Sequence, residues 1–207
     1  MNNLEEILLN VGFSWQISVL LPFVIILVLV ICVGLLILKR IKSKALRSSL
    51  SFVIGVAFSG VYFAFYPIYI SDLDNEFRIE NHVSKNDQNE AFLEVLVLPD
   101  CPHCIYSTDL VKKLALRNTD AQIVYKIVSN DGYGGGIEEK LKMDGLKYTF
   151  SPYDLDVKNL AKGSFPSFVF HKKGAKEVQV WNNNTFGSKA LDYIEANLAC
   201  LLYTSDA

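Results

Sequence analysis

The sequence predicts an α/β domain carried behind two membrane-spanning helices. Three observations predict it. The first seventy residues contain two long uncharged apolar runs, the chain beyond residue 90 alternates strand-like and helix-like patterns, and a cysteine pair, Cys101-Pro102-His103-Cys104, follows the first of those strands. The overall composition, 51% hydrophobic with a formal charge of −2, conceals this division.

Ile17 to Leu38 is a run of 22 residues without a charge, and Leu50 to Ile70 is a second run of 21. A hydrocarbon core of about 30 Å needs about 20 helical residues, so each run is long enough to span. Buried core helices are rarely so long and so free of charge. Lys39, Arg40, Lys42, Lys44 and Arg47 lie between the runs with no acid among them, whereas Glu5 and Glu6 precede the first run. Asp72, Asp74, Glu76 and Glu80 follow the second, against Arg78 alone. This asymmetry predicts a cytoplasmic loop with both flanks outside. The first run is too long for a signal peptide and has no basic region before it, which reads as a retained anchor. Gly55, Ser59 and Gly60 offer close approach for a packed hairpin. Pro22 and Pro67 fall near the ends of the runs, and Cys32 behaves as a small hydrophobe in mid-membrane.

The division that follows is an extracytoplasmic N-terminus (1–15), a transmembrane helix (16–38), a basic cytoplasmic loop (39–49) and a second transmembrane helix (50–70). An acidic tether (71–90) and an α/β domain (91–199) complete it. The tether carries six acids and two bases without an apolar period, and fully extended it would reach about 60 Å. Residues 200–207 read as translated sequencing adapter and are set aside with Cys200.

Within the domain, Phe92 to Leu98 is apolar except for Glu94, as a buried central strand requires. Ile105 to Arg117 places Leu110, Val111 and Leu114 on one helical face. Ile123 to Val128 is β-branched and aromatic, and a strand reached through a helix implies a right-handed crossover and a parallel pair. Gly132, Gly134, Gly135 and Gly136 lack the Lys-Ser/Thr ending of a phosphate-binding loop, so flexibility is expected there. A short helix over Glu138 to Met143 follows, then a helix start at Ser151-Pro152-Tyr153-Asp154 with Ser151 as N-cap, and Gly163 as its stop. Ser167 to His171 and Glu177 to Trp181 are strands joined through the hairpin signal Lys172-Lys173-Gly174-Ala175. Ser188 to Ala199 closes the domain as a helix.

Apart from Cys32 and Cys200, the cysteines are the CxxC pair, so they form no structural framework and point to chemistry. A ring closed over three residues also constrains the unfolded chain little. At a helix start, unpaired N–H groups and the dipole stabilise a thiolate on the first cysteine. The second, one turn on, can attack a mixed disulfide. Cys101 is thus the candidate nucleophile and Cys104 the resolving thiol. Pro102 suits the first turn. His103 can stabilise the thiolate and make the disulfide more oxidising, while Asp100 acts in the opposite sense.

The order β-α-β, helical insert, β-β-α, the Cys-Pro-His-Cys at the first helix, and Ser164-Phe165-Pro166-Ser167 before the third strand resemble the thioredoxin superfamily. The Pro102-His103 dipeptide between the cysteines is similar to that of DsbA-type oxidases. Over residues 91–199 the resemblance implies a thioredoxin-like fold, with Pro166 as the cis-proline facing the CxxC and Phe165 as the substrate-contacting residue. It implies protein thiols and disulfides as substrates, an envelope or membrane redox partner, no cofactor and no nucleic acid. The chain departs from the pattern in having Asp100 where an aromatic residue is frequent, and Val95 where a buried acid is frequent. Glu94 is one residue off and faces the other side of the sheet. The insert is much shorter than the helical domain of DsbA.

The expected function is a membrane-tethered thiol–disulfide oxidoreductase, its domain on the periplasmic side of the inner membrane and its direction open. Two other classes compete. Copper or zinc binding by Cys101, His103 and Cys104 with His82 or His171 has suitable ligands. It lacks a second paired set, and exposure is the ordinary expectation for His171 on its strand. A non-catalytic assembly protein would use Tyr148, Phe150 and Tyr153 as a surface, although such aromatics are commonly core. A c-type haem site is excluded, since Ile105 rather than His follows Cys104.

Overall fold

The computed structural model describes residues 3–37, 42–81, 90–119 and 121–199. Residues 200–207, read above as adapter, His82, and part of the basic loop and tether lie outside them. The chain divides into two units, Met1–Leu73 and Asp74–Ala207.

The first unit is helical: α1 (Asn3–Val11), α2 (Trp15–Ile37), α3 (Lys44–Phe65) and α4 (Ile70–Leu73). Helices α2 and α3 are long and apolar enough to cross a membrane. They pack as a hairpin with small residues at two contacts. A Cβ on Gly34 would stand 3.1 Å from Ser51 Oγ, and one on Gly55 would stand 2.9 Å from Ile31 Cγ1. Gly55 therefore serves the close approach its sequence suggests, but Gly60 faces open space. Pro22 lies inside α2 rather than at its end. Helix α3 begins within the basic segment, capped by the Ser43 side chain.

The second unit is a six-stranded sheet in the order β1-β6-β5-β2-β3-β4. Its strands are β1 (Arg78–Asn81), β2 (Phe92–Val97), β3 (Gln122–Val128), β4 (Tyr148–Ser151), β5 (Ser167–His171) and β6 (Glu177–Asn182). The helices are α5 (Pro102–Arg117), α6 (Gly135–Asp144), α7 (Leu155–Ala161) and α8 (Ser188–Ala199). Strands β2, β3 and β4 run parallel, and β5, β6 and β1 follow in antiparallel steps. The four inner strands with α5 and α8 make the expected β-α-β, β-β-α core. The fold is thioredoxin-like.

All six residues of β2 are buried, as a strand covered on both faces must be. Leu96, Val169, Val178 and Val180 pack under α7 residues Val157, Leu160 and Ala161. Leu93, Val95, Phe168, Phe170 and Trp181 alternate onto the opposite face and are also buried.

Three elements differ from expectation. Arg78–Asn81 is a strand on the edge of β6, where the sequence predicts tether. Phe77 stacks on Tyr193 with ring centroids 5.8 Å apart, and Asn75 Oδ1 accepts from Trp181 Nε1 at 2.9 Å. Tyr148–Ser151 is the edge strand β4, so Ser151 cannot be an N-cap; Asp154 caps α7, its carboxylate accepting from Val157 N at 2.9 Å. Phe150 and Tyr153 are exposed on this side of the sheet rather than in the core.

Candidate active site

Cys101 follows the turn at Pro99 and Asp100 that ends β2, and it is the N-cap of α5. Its Sγ accepts from Cys104 N at 3.2 Å, satisfying one of the free amides at the helix start. Pro102 occupies the first turn, where its missing N–H costs nothing. Cys101 and Cys104 form a disulfide with Cα atoms 5.2 Å apart, inside the ordinary range of about 4.4–6.8 Å. Cys104 is fully buried, Cys101 is half-buried, and Pro102 and His103 are exposed. The asymmetry matters chemically, because an incoming sulfur can reach Cys101 but not Cys104.

The Phe165–Pro166 peptide is cis. The Phe165 carbonyl oxygen lies 3.9 Å from Cys101 Sγ, so the loop entering β5 faces the cysteine pair. Ser167 Oγ donates to Ser164 O at 2.6 Å and steadies that loop. The structure thus brings Cys101, Cys104, Phe165 and Pro166 together at the carboxyl ends of the parallel strands, with His103 on the exposed rim.

Helix α6 is fastened to α5 at its far end. Asp144 Oδ1 meets Lys112 Nζ at 2.8 Å, and Lys140 Nζ meets Asp109 Oδ1 at 2.7 Å. Burial pushes the Asp144 carboxyl up, but the Lys112 and Lys140 ammonium groups outweigh it and hold the group below the usual carboxylate range. Burial pushes the Tyr125 hydroxyl beneath these helices far above its ordinary value.

No local pattern links Asp100 to the glycine run. In the fold, Asp100 Oδ1 accepts from Gly136 N at 3.2 Å and Pro99 O accepts from Ile137 N at 3.1 Å. Gly134, Gly135 and Gly136 are therefore the N-cap and docked first turn of α6 rather than a free loop. An open cleft of about 600 Å³ lined by Tyr153, Asp154, Leu155, Asp156 and Lys158 contains none of the expected site residues. Among the described residues, no group of three or more His, Cys, Asp or Glu side chains gathers as a metal would require. His171 is buried against Glu94 rather than exposed.

Fold and site together define a thioredoxin-like domain with a CxxC pair. The chain is similar to a secreted disulfide oxidoreductase of Mycobacterium tuberculosis homologous to E. coli DsbE (20% identity, 55% of this chain and 83% of that one, TM-score 0.39). It is also similar to a putative thioredoxin of Neisseria meningitidis (18% identity, 64% and 91%, TM-score 0.43) and to StoA of Bacillus subtilis (10% identity, 58% and 98%, TM-score 0.38). No protein-family model and no curated protein matches the chain.

Proposed function

We propose that this chain is a membrane-tethered thiol–disulfide oxidoreductase that exchanges disulfides with protein thiols of a bacterial envelope through Cys101 and Cys104. The observation that carries the reading is a half-buried sulfur at a helix start, joined to a fully buried one a turn away. A substrate thiolate attacks Cys101 Sγ, the Cys101–Cys104 bond breaks, and Cys104 leaves as a thiolate. A second substrate thiolate then attacks the substrate sulfur of the mixed disulfide and releases Cys101. Two electrons pass to the pair and one disulfide to the substrate. Reduction of a substrate disulfide is the same path reversed, begun by the Cys101 thiolate.

In this reading Pro102 starts the helix that stabilises that thiolate, and His103 favours it from the exposed side. Phe165 and Pro166 form the floor on which the substrate segment lies. The domain faces the extracytoplasmic side, where a membrane or envelope redox partner recycles the pair.

The test is the reduction potential of the full-length chain in detergent, equilibrated with glutathione buffers, together with a Cys104→Ala variant. A reversible two-electron couple and mixed disulfides trapped on Cys101 are expected. A potential of about −120 mV would assign oxidation of substrates, and one of about −270 mV would assign their reduction. Absence of a couple would overturn the reading.

A further inference from the structure

A carboxylate beside Cys101 would, if isolated, disfavour its thiolate. Asp100 is not isolated. Its Oδ1 accepts from Gly136 N, and the carbonyl before it accepts from Ile137 N. Both donors belong to the first turn of the ten-residue helix α6, whose own N-cap, Gly134, supplies no side-chain acceptor. Free amides and the positive end of the dipole favour an anion there. Gly135 permits the approach. It has φ +54°, and a Cβ at that position would stand 2.9 Å from Pro99 O and press on the Asp100 carboxylate. The far end of α6 is held to α5 by the Asp144–Lys112 and Lys140–Asp109 pairs. One helix is therefore pinned along the CxxC helix at both ends, and its amino end rests on the two residues before Cys101.

We propose that Asp100 is a positioning residue: it holds the amino end of α6 against the entry to the CxxC, and that docking sets the redox poise of the Cys101–Cys104 pair. The proposal rests on the thiol–disulfide reading above. Docked, the positive end of α6 adds to that of α5 in favouring a thiolate on Cys101, and so the reduced pair. Released, α6 leaves the Asp100 charge uncompensated beside the cysteine.

The experiment is a double-mutant cycle on the full-length chain in detergent. It reads the equilibrium of protein disulfide plus two glutathione with protein dithiol plus glutathione disulfide. Gly135→Ala, which strains the docking but leaves Asp100 in place, is expected to shift that equilibrium about two- to fivefold toward the protein disulfide. In an Asp100→Ala background, where the Asp100–Gly136 tie is cut and the carboxylate that the new Cβ meets first is gone, the same substitution is expected to shift it by less than about twofold. Gly136→Pro removes the donated N–H at a helix position that tolerates proline, and it should repeat both results if Gly135→Ala fails to fold. Equal shifts in the two backgrounds, or no shift in either, overturn the role of Asp100. A wild-type chain without a reversible couple overturns the thiol–disulfide reading itself, independently of the cycle.

Discussion

Glu94 interrupts an otherwise apolar strand, and the fold accounts for it through two neighbours. Its Oε1 meets Lys126 Nζ at 3.0 Å from the adjoining strand, and Oε2 lies 3.4 Å from His171 Nε2. The second distance is long for a hydrogen bond, so Lys126 makes the tighter contact. His171 also stacks on Phe92 with centroids 3.9 Å apart. Burial pushes the Glu94 carboxyl up, but the facing imidazole and ammonium outweigh it and hold it below its ordinary 4.5. A depressed folded-state value means that the stabilisation is present above about pH 4.5 and is lost as pH falls through the lower folded value. Glu94→Gln is expected to cost about 1–3 kcal/mol at pH 7, because buried His171 and half-buried Lys126 lose their anion. The deficit should shrink in acid, as urea titrations followed by Trp181 fluorescence in a Trp15→Phe chain would show. A deficit independent of pH would contradict this account. His103 carries a separate prediction: His103→Leu removes the polar group beside Cys101 and should move the potential about 30 mV toward the reducing side, a tenfold change in equilibrium. An unchanged potential would remove His103 from the site.

At the scale of elements, the strands and helices with one strong pattern were legible and the edges were not. Phe92 to Leu98 and Ile123 to Val128 declare themselves by apolar continuity, and α8 by its buried stripe of Leu191, Ile194 and Leu198. Strand β1 reads Arg-Ile-Glu-Asn and alternates between half-buried and exposed, so its four residues carry too little apolar signal. What places it is long-range: Arg78 Nη2 donates to Leu160 O at 2.9 Å, and Phe77 lies against Trp181 and Tyr193. Phe77→Ala is expected to cost about 2 kcal/mol and to raise amide exchange over residues 78–81 before that of β2. Uniform exchange across the sheet would contradict a separately anchored β1. The start of α7 is ambiguous in the sequence because Ser151 and Asp154 are both good caps, and only pairing of Tyr148–Ser151 with β3 decides between them. Asp154→Ala should therefore destabilise the domain by about 1 kcal/mol, while Ser151→Ala should cost much less; equal costs would contradict the assignment. At the site, Cys101 and Cys104 were readable from spacing alone. The Asp100–Gly136 contact joins residues 36 apart, and no local pattern announces it.

For the whole molecule, the decisive question is which side of the bilayer receives Cys101. Helices α2 and α3 are joined through the segment rich in lysine and arginine, and the stretch after α3 is acidic. Insertion favours retention of short basic loops in the cytoplasm, so the orientation proposed above has two spans returning the chain to the outside before β1. The fold shortens the free connection, since the second unit begins at Asp74 rather than near residue 91. Orientation is tested in a cysteine-free chain (Cys32, Cys101, Cys104 and Cys200 each replaced by Ser) carrying either Ser43→Cys in the basic segment or Asn183→Cys in the exposed turn after β6. In spheroplasts, an impermeant maleimide is expected to label Asn183→Cys at once and Ser43→Cys only after the membrane is opened. The reverse pattern would put the CxxC in the reducing cytoplasm, where a stable disulfide is disfavoured. Labelling of both sites without permeabilisation would mean that the pair of helices does not span, and the membrane-tethered reading would fall with it.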